Sequence, residues 1–317
     1  MIESTAQSAE DSVQLATSGY LHHSYAESLS EFGLPRRLPR CGGWFLQRQI
    51  PAFDFNDGMG CYPLFACQDW SHLGDDLEEL DGELVSLFLV ADPFGQYDVA
   101  HLRNCFRDVV IPFKQHFVVD LEQPLNSFFH PHHRRYARKA LREVQVEKCA
   151  NPESVLEDWL TLYATLVERH HISGIAAFSR ESFAGQFSVP GVVVFRAAAD
   201  DTTVGMLLWY IQGKRAYYHL GAYSARGYEL RASFALFDYS IRYFAEHEFE
   251  WLNLGSGAGI GGEEGGLTRF KQGWSTDVRT AYFCGRILDP EKYESIVKAR
   301  RLPPTKYFPA YRVGEFQ

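Results

Sequence analysis

The alternation of hydrophobic and polar positions is sharpest between residues 151 and 290. Asn151 and Pro152 supply a helix cap and a first-turn proline, and an apolar stripe behind them predicts a long helix that ends near His170. The stripe consists of Val155, Trp159, Leu162 and Leu166. A second long helix is predicted by Leu230, Phe234, Phe237, Ile241 and Phe244.

Three strand-like segments separate these helices, at Gly191–Ala198, Val204–Gln212 and Arg215–Tyr223. Because the connections around Asp200 and Gly213 are short, we expect the strands to pair as an antiparallel meander. After the second helix, Glu250–Leu254 predicts a buried strand and Val278–Arg286 predicts a final one.

The N-terminal half has a weaker pattern. Its first forty residues are polar and predict a loose tail or a short helix. Strands are predicted at Trp44–Gln49, Cys61–Cys67 and Leu84–Ala91, with turn residues at Asp57-Gly58. A further strand over His116–Leu121 leads into a basic helix that has Pro131 in its first turn, and Val144–Glu147 again alternates like a strand.

A glycine-rich loop follows the buried strand, in the sequence SGAGIGGEEGG, and order resumes at Leu267. Such a loop lets backbone approach a ligand closely. Leu254–Gly259 also resembles the glycine signature of Rossmann domains that bind nucleotides or S-adenosylmethionine. Too few residues follow for a doubly wound sheet, and the run after Gly262 does not predict an amphipathic helix, so we disfavour a Rossmann domain and a methyltransferase.

Composition sets the class of protein but not its activity. The 317 residues are 46% hydrophobic and carry a net charge of −9, which disfavours wholesale nucleic-acid binding. We find neither a secretory leader nor a membrane span, so a cytoplasmic location is expected. The scattered cysteines, which lack ligand spacing, are expected to be reduced thiols, and no metal site is predicted.

Residues 130–142 form one local exception to the acidic composition. On a helix, Arg134, Arg138 and Arg142 lie on one face, and Arg135 and Lys139 add further charge. A solvated helix face is the simpler interpretation, and a contact with tRNA is the alternative. The three histidines at 130, 132 and 133 point in different directions on a helix, so they do not predict a metal site.

The order of these elements resembles the GNAT acyltransferase fold, and more closely its Fem-type branch of FemAB-like and CelD-like proteins. The resemblance rests on RYARKALREVQV at 135–146, on YHLGA at 218–222, and on Trp251–Leu254 followed by GLTRFKQGW. It implies an α/β fold (α+β) with a mixed, mostly antiparallel sheet, in which Glu250–Leu254 runs nearly parallel to the third meander strand. Tandem GNAT-like domains are expected: a tail at 1–40, a degenerate copy at 41–125, a second copy at 126–290 and an extension at 291–317.

The resemblance also implies where the acyl donor binds. The third meander strand and Glu250–Leu254 should splay apart, and backbone N–H groups at Leu220, Gly221 and Ala222 should polarise the acyl carbonyl. The next turn contains Arg226 and Gly227, but its spacing departs from the pyrophosphate loop of coenzyme A-dependent relatives. The donor is therefore open between acyl-CoA and aminoacyl-tRNA.

Lys271 matches the lysine that the Fem-type branch uses to bind phosphate or stabilise developing negative charge. We expect it to face the cleft with Arg269 near it, exposed enough that its loss affects turnover more than folding. Phe270 and Trp274 flank these cations, and Tyr218 and His219 are the other catalytic candidates, with His219 as a general base. Further candidates for substrate binding are Tyr223, Asn253, Ser256, Arg169 and His170.

These observations predict a bacterial acyltransferase that transfers an acyl or aminoacyl group to an amine or hydroxyl acceptor, such as a cell-envelope or polysaccharide precursor. The alternative is a catalytically silent GNAT-like module that holds a ligand in the same cleft. The mobile glycine loop beside paired cations favours the enzyme.

Overall fold

The computed structural model describes residues 17–257 and 265–315. They divide into a smaller unit, mainly Tyr20–Lys114 and residues 280–315, and a larger unit, mainly Gln115–Ser173 and Ala177–Arg279. Within the described ranges, no helix combines the length and hydropathy needed to cross a membrane.

The smaller unit begins with short helices, and four strands lie wholly within its described residues. In chain order its first elements are α1 (His23–Glu27), β1 (Leu34–Leu38), β2 (Gly43–Gln49), β3 (Asn56–Gly60), α2 (Leu73–Glu79), β4 (Ser86–Val90) and α3 (Val99–Cys105). β1, β2 and β3 pair antiparallel, whereas β3 and β4 are parallel. The N-terminal prediction of a tail or short helix therefore did not anticipate the strand β1.

The larger unit holds the predicted meander and its helices. Its elements are β5 (Val109–Asp120), α4 (Leu125–Phe128), α5 (Pro131–Ala140), β6 (Gln145–Lys148), α6 (Leu156–His170), α7 (Arg180–Phe187), β7 (Val192–Ala199), β8 (Thr202–Gln212), β9 (Arg215–Tyr223), α8 (Ala225–Leu230), α9 (Ala232–Glu246), β10 (Trp251–Gly255) and α10 (Gly266–Gln272). β11 (Asp277–Ile287) and α11 (Pro290–Ala299) are the last described strand and α-helix, and β11 pairs with β4 from Phe283 onward.

The strand order in the larger unit is β5-β10-β9-β8-β7-β6. β7, β8 and β9 form the antiparallel meander, and β10 joins β9 in parallel, as the sequence predicted. Trp209 packs on Phe237 and Phe244 of α9, while the hydroxyl of its neighbour Tyr210 donates to the Gln186 carbonyl in α7. Helices therefore cover both faces of this sheet, and the predicted α/β fold class is confirmed.

Two local predictions are wrong. The strand placed at Cys61–Cys67 lies instead at Asn56–Gly60, where Gly58 was assigned to a turn. A Cβ on Gly60 would lie 2.5 Å from the Leu89 Cβ, so the glycines are needed because β3 approaches β4 closely. In addition, Gly266–Gln272 forms a short helix after the glycine loop, where none was expected.

Candidate active site

The site is built where β9 and β10 stop pairing. Their parallel register covers only Trp251↔Arg215, Leu252↔Ala216 and Asn253↔Tyr217. Beyond this point β9 continues to Tyr223 with β8 on one side and no described strand on the other, so the backbone of Leu220, Gly221 and Ala222 borders the opening. The pairing of the two strands therefore stops where the family resemblance implied that they splay apart.

A β-bulge lies at the same position. Leu208 pairs with Leu220 while Trp209 pairs with Tyr218, which leaves His219 as an extra residue in β9. β10 has its own irregularity against β5, between Asn253 and Gly255. Both strands thus depart from regular pairing at the edge of the opening.

Asn253 occupies the last position of β10 that pairs with β9, and it is 2% exposed. Its Oδ1 accepts hydrogen bonds from the Gly255 N–H at 2.8 Å and, with the proton on Nδ1, from His116 at 3.0 Å. Its Nδ2 is buried without a hydrogen-bond partner among the described residues. Since buried polar groups are normally paired, this amide retains a donor for a ligand. His116 was not a candidate from the sequence, because a lone histidine in a strand is more often structural.

Lys271 lies beside the ends of these strands. Its Nζ donates a hydrogen bond to the Ser256 carbonyl at 2.7 Å and lies 5.0 Å from the centre of the Tyr218 ring. Gly255 has φ +72°, and a Cβ there would lie 3.2 Å from Nζ. The missing side chain therefore makes room for the ammonium.

The environment of Lys271 differs from the expected one. The side chain is 5% exposed, because α10 turns it inward together with Trp274. Arg269, two positions earlier, is exposed and faces a different groove. The structure therefore brings Lys271 to Ser256 and Tyr218 but does not bring Arg269 to Lys271.

Tyr218 and Tyr223 direct their hydroxyl groups to one point. A Cβ on Gly221 would lie 2.6 Å from the Tyr218 hydroxyl and 3.2 Å from the Tyr223 hydroxyl, so both sit over this glycine. Burial raises the pKa of both phenols, and they are neutral at physiological pH. Neither hydroxyl forms a hydrogen bond with another described residue, so each can donate one to a ligand.

An aromatic row continues from these tyrosines to Arg169. The Tyr223 ring lies 5.5 Å from the Tyr228 ring, and the Arg169 guanidinium covers Tyr228 at 4.1 Å. This cation–π contact holds Arg169 near the site. His170 is exposed at the end of α6 and makes no contact with the described residues of this row.

His219 is placed away from Lys271. Its Nε2 lies 3.1 Å from Gln186 Oε1, and its ring packs near Phe178 and Tyr210, on the side of β9 that α7 covers. Burial lowers its pKa to about 3, so it is neutral. The contacts with α7 explain this histidine structurally, and its role as a base stays a prediction.

Phe270 and Trp274 anchor α10. Trp274 is fully buried and meets Phe129 edge to face, with ring centres 4.8 Å apart. Phe270 packs against Phe234 and Phe237 of α9 at 5.0 and 4.9 Å. Both therefore hold the helix that positions Lys271.

Arg226 and Gly227 have structural contacts of their own. Arg226 is exposed and forms an ion pair with Glu229 at 3.2 Å. A Cβ on Gly227 would lie 1.9 Å from the Val204 carbonyl oxygen, so close backbone packing requires glycine there. These contacts explain both residues structurally, without a role in binding the acyl donor.

A groove of about 730 Å³ lies between α5, α9 and α10. Its lining includes Arg269, Phe234, His130 and His133, and His133 was missed by the sequence analysis as a candidate. His133 Nε2 contacts the Phe270 carbonyl at 2.9 Å, and burial lowers its pKa to about 4. Arg134, Arg135, Arg138 and Lys139 lie on α5, whereas the helix ends at Ala140, before Arg142, so the expected helical face loses its third arginine; none of these cations has a carboxylate partner among the described residues.

Comparison with known proteins finds a family profile that matches the elements around this opening. The acetyltransferase (GNAT) domain profile matches residues 129–272, which contain the meander, the diverging strands and Lys271. No curated protein matches the sequence.

Solved structures extend the likeness to most of the chain. FemX has a TM-score of 0.66 at 15% identity, over 91% of this chain and 98% of that chain. The C-terminal domain of an Agrobacterium fabrum protein described as a putative lysylphosphatidylglycerol synthetase has a TM-score of 0.58 at 14% identity, over 94% and 96%. L-PGS from Bacillus licheniformis has a TM-score of 0.53 at 14% identity, over 88% and 96%. Residues 129–272 therefore match an acetyltransferase (GNAT) domain, and the chain has a fold similar to that of FemX.

Proposed function

We propose that this protein transfers an acyl or aminoacyl group to an amine or hydroxyl acceptor on a cell-envelope or polysaccharide precursor. The observation that carries the proposal is the position of the Lys271 ammonium, 2.7 Å from the Ser256 carbonyl, at the point where β9 and β10 diverge. The structural likeness to FemX and to a lysylphosphatidylglycerol synthetase domain supports acceptors of the cell envelope.

The reaction is a nucleophilic substitution at the acyl carbon. The acceptor nitrogen or oxygen attacks the carbonyl carbon and forms the new C–N or C–O bond, while the C–S bond of a thioester or the C–O bond of an ester breaks. The acceptor loses a proton and the leaving thiolate or alkoxide gains one. Backbone N–H groups of the Leu220–Ala222 edge would donate to the carbonyl oxygen as its charge develops.

Lys271 has two ways to assist this step. Its ammonium can meet the developing oxyanion, or it can hold a donor phosphate so that the acyl carbon is correctly placed. Either role stabilises negative charge, for which a contact of this kind is worth about 2.7–4 kcal/mol in the transition state. The neutral hydroxyls of Tyr218 and Tyr223 would orient the acyl group or the acceptor beside it.

The donor is either acyl-CoA or aminoacyl-tRNA. The GNAT match supports acyl-CoA, whereas the departure of the Arg226–Gly227 turn from the pyrophosphate loop weakens it. The cations of α5 that have no carboxylate partner among the described residues favour tRNA, because phosphate binding needs such a basic surface. Because of these cations, we propose aminoacyl-tRNA as the first candidate for the donor.

We further propose that the smaller unit is a degenerate copy of the GNAT fold, as the tandem boundaries at 41–125 and 126–290 imply. The coverage of FemX over 91% of this chain supports it. Named bacterial sources among the similar structures support a bacterial protein, and six free, buried cysteines support a reducing, cytoplasmic setting.

One assay decides between the donors and tests the activity. The whole chain is incubated with each donor and with amine and hydroxyl acceptors from cell-envelope precursors, and the acyl product is detected by mass spectrometry. We expect product with one donor, and at least about a hundredfold less with Lys271→Met. Arg269→Met is the matched control, because it lies on the same helix but is exposed.

Charge reversal separates the donors further. Arg134→Glu with Arg138→Glu should weaken an aminoacyl-tRNA reaction and reduce its dependence on salt, and should leave an acyl-CoA reaction unchanged. If the wild-type chain binds donors in thermal-shift measurements but forms no product with any acceptor, the silent binding module is the correct function.

A further inference from the structure

A second cavity lies within the smaller unit, far along the chain from Lys271. It has a volume of about 510 Å³, and its wall comes from residues 30–35, from β2 and from the segment around Arg312 and Glu315. Ser30, Gln47 and Gln49 give it polar groups, and Phe32, Leu34 and Pro35 give it apolar ones. We call it the Arg48 pocket after the arginine in its wall.

Arg48 is buried, and most of its N–H groups form no hydrogen bond with the described residues. It is 7% exposed, yet its Nε and Nη2 have no hydrogen-bond partner among the described residues. Gly33 packs on its stem, where a Cβ would lie 2.8 Å from Cγ, so the side chain has little room to move. A guanidinium offers five N–H donors, and unmade bonds from a buried charged group are costly.

Asp57 does not accept a hydrogen bond from Arg48, because its carboxylate is already paired with another arginine. Arg312 donates from Nε and Nη2 to the two Asp57 carboxylate oxygens at 2.8 and 2.9 Å. The Arg48 Nε lies 3.4 Å from Asp57 Oδ1 without hydrogen-bond geometry. The bidentate pair therefore belongs to Arg312 and Asp57, and Arg48 is left beside it.

Among the described residues, Glu315 supplies the one side-chain hydrogen bond that Arg48 makes. Its Oε1 accepts from Arg48 Nη1 at 2.6 Å, and its Oε2 lies 3.7 Å from Arg312 Nε. The Glu315 side chain is 30% exposed, unlike the fully buried Asp57. A partly exposed carboxylate between two arginines at a cavity wall marks a place that accepts a carboxylate group.

We propose that the Arg48 pocket binds the free carboxylate of a small peptide or amino acid, which takes the place of Glu315 between Arg48 and Arg312. The polar and apolar wall groups would contact the rest of the ligand. Glu315 then acts as an internal competitor that covers the arginines when the ligand is absent. The site is separate from the transfer reaction, and the proposal for it does not depend on the proposed acyltransferase activity.

The test compares two peptides on two forms of the whole chain. N-acetyl-alanyl-alanine with a free carboxylate and the same peptide as its amide are titrated by ligand-observed NMR against the wild type and against Glu315→Gln. We expect the acid to bind Glu315→Gln about tenfold more tightly than the wild type, because an internal competitor has been removed, and the amide to bind neither. Equal binding of acid and amide, or no gain in Glu315→Gln, would overturn the proposal.

Two controls keep the result specific. Arg48→Lys in the Glu315→Gln background keeps the charge but loses the planar fork, and we expect it to lose most of the gain in affinity. Should that variant not fold, the comparison of acid with amide on Glu315→Gln still decides. Inorganic phosphate is titrated in parallel, and binding of phosphate without binding of the peptide acid would contradict a carboxylate site.

Discussion

The Lys271 ammonium and the Ser256 carbonyl are joined by a hydrogen bond of 2.7 Å across the start of the glycine-rich segment. The contact ties α10 to the end of β10, so the cation and the strand that borders the opening are held together. A group that positions charge in this way is preorganised, and preorganised charge is what stabilises an acyl-transfer transition state.

Replacement of Lys271 by Met should therefore affect both rate and stability. We expect kcat/KM to fall about a hundredfold or more, and the free energy of unfolding to fall by about 1–3 kcal/mol because the Ser256 carbonyl loses its donor. Steady-state kinetics and urea unfolding measure the two quantities. Arg269→Ala should change stability by less than about 0.5 kcal/mol. A variant with wild-type turnover would remove Lys271 from the mechanism.

Gly255 should tolerate no side chain. With φ +72° and a Cβ position 3.2 Å from Lys271 Nζ, Gly255→Ala strains the backbone and pushes on the ammonium. We expect a loss of about 1–3 kcal/mol in unfolding free energy, with reduced turnover. Gly266→Ala is the control, because nothing lies within 4 Å of its Cβ position and alanine favours a helix by about 0.5–1 kcal/mol. Equal effects of the two substitutions would contradict this account of Gly255.

The tyrosine hydroxyls should matter to substrate rather than to folding. Tyr218→Phe and Tyr223→Phe each remove a hydroxyl that has no hydrogen bond to another described residue, so unfolding free energy should change by less than about 0.5 kcal/mol. If the hydroxyls orient a bound group, kcat/KM should fall about 5–30-fold, as expected for loss of one hydrogen bond to a substrate. Kinetics unchanged in both variants would exclude them from the site.

Acid should destabilise the larger unit through His219. Its pKa is lowered to about 3 in the folded chain, so the folded state holds it neutral while the unfolded state takes up a proton below its usual pKa. The contribution is fully present at pH 7 and is lost as pH falls from about 6.5 toward 3, at about 1.4 kcal/mol per pH unit. Urea unfolding at pH 7, 6 and 5 measures the slope, and His219→Gln should reduce it by that amount. An unchanged slope would mean that His219 is protonated in the native state.

The meander and the two long helices of the larger unit followed from local pattern, whereas the short helix α10 and the contacts of the site did not. The meander was predictable because side-chain alternation and short turns act over neighbouring residues. β3 was missed because Gly58 and Gly60, which usually indicate turns, are needed there for close approach to β4. The local sequence shows the glycines but does not show that a strand distant in sequence requires them.

The same reasoning applies to individual site residues. Lys271 was identified from the motif around it, but its burial depends on the gap at Gly255, sixteen positions away. His116 became notable only because it meets Asn253, across 137 positions of sequence. Arg226 and Trp274 were proposed from type and position, and their partners Glu229 and Phe129 now explain them structurally.

The extra residue in β9 changes the phase of the strand. Tyr218 and Tyr223 are an odd number of positions apart, so a regular strand would point them to opposite faces. Because His219 is inserted between the paired positions, Tyr218, Gly221 and Tyr223 share the face that α9 covers, while His219 itself turns to α7. The bulge thus shifts the alternation of side chains by one position and brings two phenols and a glycine backbone to one surface, whereas a regular strand of the same length would divide the phenols between its two faces.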